Sequence, residues 1–315
     1  MKRKNDILEV LSNLTNNEVL TSVSMADKML DILPQEVFDR NDTTFLDPVS
    51  KSGVFLRQIV VRLLKAKQKQ YQNEAKFDVD FDNILSHILE KQVFGIATSR
   101  ISWYLTRRTL YMDLVNEDYK LDVVKTYKDG LEKEDYYRFN NVKMFDDKRF
   151  DAGLIKSKME EFDMKFDVIV GNPPYQMTNA TNDGTIKSAN TLYHLFVEQA
   201  IKLEPKYITM IIPSRWTIGG KGLKDFRKNM LKDKRMKQIF DFVDETSIFE
   251  GMEIGGGLMY FLWQKDYNGK CKIITDNCGK ISQSERYMLE DGKNVFIRYS
   301  EAIPILNKLL TGGGG

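Results

Sequence analysis

Asn172, Pro173, Pro174 and Tyr175 stand in a row and carry the groups needed to act on an amine held in a flat conjugated system. Such an amine is a poor nucleophile because its lone pair is delocalised. Acceptors placed on both of its N–H groups favour lone-pair density on nitrogen as the bonding there moves towards tetrahedral. Asn172 offers a neutral side-chain carbonyl. Pro173 offers a backbone carbonyl, with no N–H of its own and a fixed φ. Pro174 biases Pro173 out of the helical region, so that carbonyl keeps one direction. Preorganised acceptors aimed at developing charge are often the largest catalytic contribution. Tyr175 adds a surface for a flat base, worth roughly 1–3 kcal/mol per stacked base in nucleic-acid sites. The group such a turn would help to transfer is a methyl. The plain alternative is a strand-ending turn with a tyrosine that only packs.

The turn needs a rigid support, and the residues before it supply one. Phe166-Asp167-Val168-Ile169-Val170-Gly171 is a short apolar run bounded by Gly and Pro, the pattern of a buried parallel strand. A polar turn after such a strand lies at the carboxyl edge of a sheet, where open α/β folds bind ligands. A second unit of the same kind begins at Thr44-Phe45-Leu46-Asp47-Pro48. The loop Val49-Ser50-Lys51-Ser52-Gly53 leads from it into Leu56, Ile59, Val60, Leu63 and Leu64 at helical spacing. Backbone N–H groups at a helix start suit an anion, here the carboxylate of an amino-acid cofactor, with Asp47 facing the cofactor's ammonium group. The alternative is an ordinary turn that Asp47 helps to cap.

Other elements follow the same logic. Met25, Met29 and Ile32 give an amphipathic helix ended by Pro34. Val93–Ile96 reads as a buried strand with a helix behind it through Arg108, and residues 112–150 as loops and a surface insertion. Leu192, Leu195, Phe196, Ala200 and Leu203 mark a further helix. Tyr207–Ile212 is an apolar strand ending at Pro213-Ser214-Arg215-Trp216. Ile239–Phe242 and Leu258–Trp263 form a late strand pair, read as antiparallel, around a Gly-rich loop. The alternation predicts an α/β, doubly wound, mostly parallel sheet. After about residue 265 the pattern thins, and Thr311–Gly315 reads as a flexible end.

Composition bounds the rest. With 315 residues, 42% hydrophobic and 29% charged, the chain has the balance of a soluble globular protein and the length for one large α/β domain with an appendage. No apolar run approaches the roughly 18–20 residues of a membrane span. The basic start Met1–Asp6 has no apolar stretch behind it, which excludes a secretory signal. Cys271 and Cys278 make no disulfide framework, and His87 and His194 are too few for a protein zinc site. The expectation is a cytoplasmic protein with no membrane and no metal. A net charge of +2 is weak for a nucleic-acid binder, and the basic clusters Arg62–Lys69 and Lys221–Lys237 read first as solvated helix faces.

Asp-Pro-x-x-x-Ser-Gly at 47–53, Phe-Gly-Ile at 94–96 and Asn-Pro-Pro-Tyr at 172–175 together resemble the S-adenosylmethionine-dependent DNA adenine methyltransferases. The nearest likeness is to methylase domains of restriction–modification enzymes that carry methyl transfer and target recognition in one chain. Asn17–Thr21 with Met25–Leu30, Tyr193-His194-x-Phe196-Val197-Glu198, and Met210–Trp216 followed by Gly219–Gly222 agree, so the resemblance covers roughly residues 15–265. It implies a Rossmann-like methyltransferase fold, with residues 1–40 covering the donor, 41–265 as the catalytic domain and 266–315 as an extension whose recognition domain is absent or truncated. It implies S-adenosylmethionine held by Thr21, Asp47, Pro48, Lys51, Ser52, Gly53 and Asp146. The adenine, flipped out of double-stranded DNA, would lie between Tyr175 and Phe249, with Asn172 and Pro173 on its amine and Arg215 on phosphate. Phe249 as a core residue and Arg215 as a structural strut stay open. The partners implied are double-stranded DNA and a recognition or endonuclease partner, or a C-terminal domain.

Several positions depart from the family. Val49 and Lys51 stand where a small residue and Gly are usual, and Lys51 either crowds the donor or pairs with its carboxylate. Ser22 stands where Pro is common. No acid follows the second strand to hold the ribose hydroxyls, where Thr98 is found. Two other classes remain open: methylation of a protein glutamine, whose amide nitrogen the same turn suits, and a donor-deficient module of this fold that binds DNA or a partner.

Overall fold

The computed structural model describes residues 20–71, 74–111, 141–145, 150–180, 186–220, 222–244, 255–289 and 296–311. Its centre is β1 (Phe45–Ser50), buried along its whole length and paired in parallel with β2 (Val93–Ala97) on one side and β4 (Val168–Gly171) on the other. Strands buried on both faces carry continuous apolar runs rather than alternation, which is why these three were visible in the sequence. β3 (Val142–Met144) extends the sheet beyond β2, and β7 (Tyr207–Pro213) pairs in parallel with β4. The expected late pair, β8 (Met236–Phe242) and β9 (Leu258–Gln264), is antiparallel, and β9 runs between β7 and β8.

The chain therefore builds β1, β2 and β3 outwards in one direction and β4, β7 and β8 in the other. The crevice between the carboxyl ends of β1 and β4 is the point where the winding reverses, the place where open α/β sheets bind ligands. Strand alternation divides the apolar side chains between two cores. Phe45, Val93, Val168 and Val170 enter one, with α1 (Val23–Leu30), α2 (Glu36–Asp39), α3 (Val54–Gln70) and α4 (Glu74–His87). Leu46, Phe94, Ile96 and Ile169 enter the other, with α6 (Ala152–Glu160), α7 (Tyr193–Lys202) and α8 (Lys224–Lys232). Each fully buried Leu or Phe contributes about 1.5–3 kcal/mol to this arrangement. α5 (Arg100–Tyr111) follows β2 and lies close to β1 and α3.

The sheet does not stop near residue 265, where the sequence reading ended the catalytic domain. β10 (Cys271–Asn277) pairs in parallel with β8, and β11 (Lys280–Arg286) pairs antiparallel with β10 to close a nine-stranded sheet. α9 (Ala302–Thr311) follows. β11 is polar on both faces, which suits an exposed edge. A separate hairpin of β5 (Gln176–Ala180) and β6 (Ile186–Thr191) follows the Asn-Pro-Pro-Tyr turn. Within the segment expected to be loops, β3 is a strand, and residues 112–140 and 146–149 lie outside the described residues. No described helix is long and apolar enough to cross a membrane.

Candidate active site

The donor side of the crevice is shaped by Pro48. Along the β1–β2 pairing, Asp47 is opposite Gly95 and Ser50 opposite Ala97, so Pro48 and Val49 together face one residue of β2. A proline has no N–H for the ladder and tends to sit at bulges. The bulge leaves the Val49 N–H free to donate to Asp47 Oδ1 at 3.1 Å. Ser50 Oγ and Thr106 Oγ1 are 2.9 Å apart, and Thr106 Oγ1 donates to the Lys51 carbonyl at 3.4 Å, which fastens the loop to α5. Gly53 then turns the chain with φ +80°, and a Cβ there would lie 3.0 Å from Thr106 Cα. No side chain caps α3 behind it, so the donors at its start are available to a ligand.

The catalytic side is set by Gly171, the last residue of β4. A Cβ at this position would meet Val49 Cγ2 at 2.9 Å and Asp47 Oδ1 at 3.2 Å. Its absence lets the β1 bulge press against the end of β4, so Asp47 and Asn172 share one crevice. Asn172 is buried and donates from Nδ2 to Thr21 Oγ1 at 3.1 Å. Thr21 precedes Ser22, whose hydroxyl caps α1 by accepting from the Met25 N–H at 3.2 Å. Asp27 of α1 in turn accepts from Gln58 and Arg62 of α3, each at 2.7 Å. The segment before the first strand is thus tied across the donor side of the crevice.

Thr21, Asp47, Val49, Lys51, Ser52, Gly53, Val54, Phe55 and Asn172 line one narrow pocket. This brings together six of the residues singled out in the sequence. Burial pushes the Asp47 carboxyl up to about 7, against the lowering effect of the Val49 N–H, the Ser50 hydroxyl and the Lys51 charge. A buried acid so perturbed, at a sheet crevice, is a candidate functional group. Pro173 is buried and Pro174 half-buried beside the cavity. The ring of Tyr175 packs against both cores. Its hydroxyl is buried with no hydrogen-bond partner among the described residues, and burial pushes the phenol well above its ordinary value. The packing role left open in the sequence is therefore filled, although the residue as a whole is only half-buried.

Arg215 is exposed in the short turn Ser214–Thr217 at the end of β7, with no ion pair among the described residues. Asp146 and Phe249 lie outside the described residues. After β2, Thr98 Oγ1 donates to Ser102 Oγ at 3.2 Å, and Ser99 Oγ lies 2.9 Å from the same oxygen. No cluster of groups able to hold a metal occurs among the described residues. Sequence reasoning missed Gly171, read only as a strand boundary, and Thr106, which carries no motif. It also missed Asp241, whose buried carboxylate accepts from Ser214 Oγ at 2.6 Å.

The residues present fit the amino-acid end of a methyl donor. Asp47 supplies a buried carboxylate for an ammonium group, while the start of α3 and Lys51 supply positive potential for a carboxylate. With free space of about 10 Å³, the pocket is far below the roughly 300–1,000 Å³ typical of whole-ligand pockets, so these residues are candidates for one end of such a donor only.

Comparison with known proteins identifies the family. Residues 91–249 match the family model for the Eco57I restriction-modification methylase. An uncharacterized adenine-specific methylase of Mycoplasma pneumoniae is 32% identical over 90% of this chain and 75% of its own length. The Escherichia coli type II restriction enzyme and methyltransferase RM.Eco57I is 32% identical over 140 residues, 40% of this chain and 14% of that one. The solved DrdV–DNA complex shares the fold with a TM-score of 0.56 at 12% identity, over 86% of this chain and 30% of that chain. This chain thus spans most of one relative and a minor part of two much longer ones. The family model covers just over half of the chain: the chain belongs to the Eco57I restriction-modification methylase family.

Proposed function

We propose that this chain transfers a methyl group from S-adenosylmethionine to the exocyclic N6 amino group of adenine in double-stranded DNA, within a restriction–modification system. The observation that carries this reading is the shared cavity of buried Asp47 and buried Asn172 at the reversal point of the sheet. When bound, the donor supplies an electrophilic methyl on a sulfonium. Asp47, ionised once an ammonium group stands beside it, orients that donor. The α3 start and Lys51 face the donor's carboxylate, which is the pairing role for Lys51. Asn172 gives its Nδ2 hydrogen to Thr21, so Oδ1 is the atom left to accept from the adenine amine. Pro173 accepts from the second N–H through its carbonyl. Holding amine and methyl in line accounts for much of the rate. Tyr175 stacks on the flipped base, and Arg215 meets phosphate. Pro48, Ser52 and Gly53 shape the donor loop, and Phe249 and Asp146 keep the base-stacking and donor-adenine roles that the resemblance gives them. Reading of the DNA site falls to a partner or to a further segment of a longer protein.

The test is transfer of labelled methyl from S-adenosylmethionine to long unmethylated duplex DNA, followed by mass spectrometry of the nucleosides. N6-methyldeoxyadenosine is expected, and its loss in Asn172→Ala. Label found in protein glutamine, or in neither product, overturns the proposal.

A further inference from the structure

One cationic side chain joins three separate segments at the same carboxyl edge, and none of the roles above uses it. Arg298 follows β11. Its Nε and Nη2 donate to the two oxygens of Asp241, with 2.7 Å from Nη2 to Oδ1. Nη2 also donates to the Phe242 carbonyl at 3.0 Å, and Nη1 to the Gly256 carbonyl at 2.8 Å. Phe242 ends β8, and Gly256 lies just before β9, so both roots of the β8–β9 connection hang on one guanidinium. The backbone of Arg298 is itself pinned, because Thr275 Oγ1 of β10 donates to its carbonyl at 3.2 Å.

The contact is built into the backbone. Gly257 has φ +83°, and a Cβ there would lie 2.5 Å from Arg298 Nη2 and 2.2 Å from the Phe242 carbonyl. Asp241 is buried and also accepts from Ser214 Oγ at 2.6 Å, and the Ser214 N–H donates to the Gly257 carbonyl at 2.9 Å. The next residue is exposed Arg215, whose Cβ would be 3.7 Å from a Cβ on Gly256. β7, which carries this turn, is the immediate neighbour of β4, which carries Asn172. Neighbouring strands are about 4.8 Å apart, so a shift in this turn is felt next to the catalytic amide.

We infer that Arg298 is a positioning residue for the DNA substrate: through Asp241, Gly256 and Phe242 it fixes the Ser214–Arg215 turn and the roots of the β8–β9 connection against the catalytic turn. The inference rests on the proposed function for the identity of the substrate. It makes the chain after the second hairpin a working part of the DNA-facing wall. Arginine is required because a bidentate fork reaches both carboxylate oxygens while spare N–H groups reach the carbonyls. Lysine keeps the charge and loses the fork.

The test uses Arg298→Lys and Ser214→Ala in the full chain. The first retains a counter-charge for buried Asp241, and the second cuts only the link from Asp241 to the turn. Three quantities are read: donor affinity by calorimetry, KM and kcat with DNA, and hydrogen exchange at the Ser214 amide. Each variant should lower kcat/KM for DNA about tenfold, the scale of one or two charge-assisted hydrogen bonds. Donor affinity should stay within about twofold, and Ser214 should exchange faster, on the logic that local opening follows lost hydrogen bonds. The double variant should be no worse than Arg298→Lys alone, since both act on one chain of contacts. Unchanged DNA kinetics in both variants overturns the inference, as does a parallel loss of donor affinity. If the wild type methylates no DNA, the proposed function fails first. The clasp is then decided by exchange, and unaltered exchange in Arg298→Lys overturns it.

Discussion

Replacing Asp47 with Asn should make the free protein more stable and abolish donor binding at the same time. The carboxyl is buried and its value is pushed from 3.8 in the unfolded chain to about 7 in the folded one, with burial as the largest cause. The folded state therefore holds this proton more tightly than the unfolded state. The sign follows: stability is undiminished below 3.8, falls as pH rises towards about 7, and is flat above it. At about 1.36 kcal/mol per pH unit, the difference between folded and unfolded titration costs about 4 kcal/mol at about pH 8, where Asp47 is ionised, and about 2 kcal/mol at about pH 5, where the folded carboxyl is still protonated. Asparagine repeats the shape of the neutral acid and can still accept from the Val49 N–H. Urea titrations without donor should place Asp47→Asn above wild type by up to about 4 kcal/mol at the higher pH, shrinking by about half at the lower. Calorimetry should find no donor binding, because the ammonium has lost its buried counter-charge. A variant no more stable than wild type at high pH, or a gain that does not shrink in acid, refutes the reasoning.

Three further outcomes are expected. Asn172→Ala should keep donor affinity while turnover falls by about 10²–10³, the usual cost of losing one preorganised hydrogen-bonding group; a comparable loss of donor affinity would place the amide in the donor site instead. Gly53→Ala should destabilise the protein by about 1–3 kcal/mol, since L-residues resist its φ of +80° and the new Cβ would press on Thr106; thermal melts check this, and weaker donor binding should accompany it. Alkylation of the native protein at about pH 8 should add one label, on exposed Cys278. Cys271 is buried with its thiol pushed up to about 12 and should react only after denaturation, so two native labels by mass spectrometry would contradict the β10 packing.

What was legible follows from how each element is stabilised. β1, β2, β4 and β7 are buried on both faces, and such strands must be apolar whatever their partners, so Phe45-Leu46 and Val168-Ile169-Val170 announce themselves. β10 and β11 are held by a partner strand and one buried face, and Lys280-Ile281-Ser282-Gln283-Ser284 carries no apolar stripe at all. The usable signal was the two-residue turn Cys278-Gly279, with φ values of +52° and +85°. A glycine at the second turn position is a hairpin mark. The β5–β6 hairpin is equally polar, and the Asn182-Asp183-Gly184 stretch between its strands is a turn signal of the same kind that the sequence reading passed over. The Arg298–Asp241 pair joins residues far apart in the chain, and nothing local distinguishes either from a surface charge.

The candidate site was legible for a different reason: its residues violate what stability alone would select. A buried aspartate with no full counter-charge and an uncapped start on a 17-residue helix each cost free energy in the protein without ligand. What the motifs could not convey is why two of them meet. That depends on β1 and β4 being neighbours whose chains wind away in opposite directions, and on Gly171 having no side chain. With any larger residue there, Val49 and the Asp47 carboxylate would have to retreat from the end of β4. Asp47 and Asn172 would then no longer share a crevice. In the proposed reaction the attacking amine and the sulfonium methyl must come within contact distance, so on that reading the smallest side chain in the motif, one place before Asn172, sets the geometry by letting the two binding groups face one crevice.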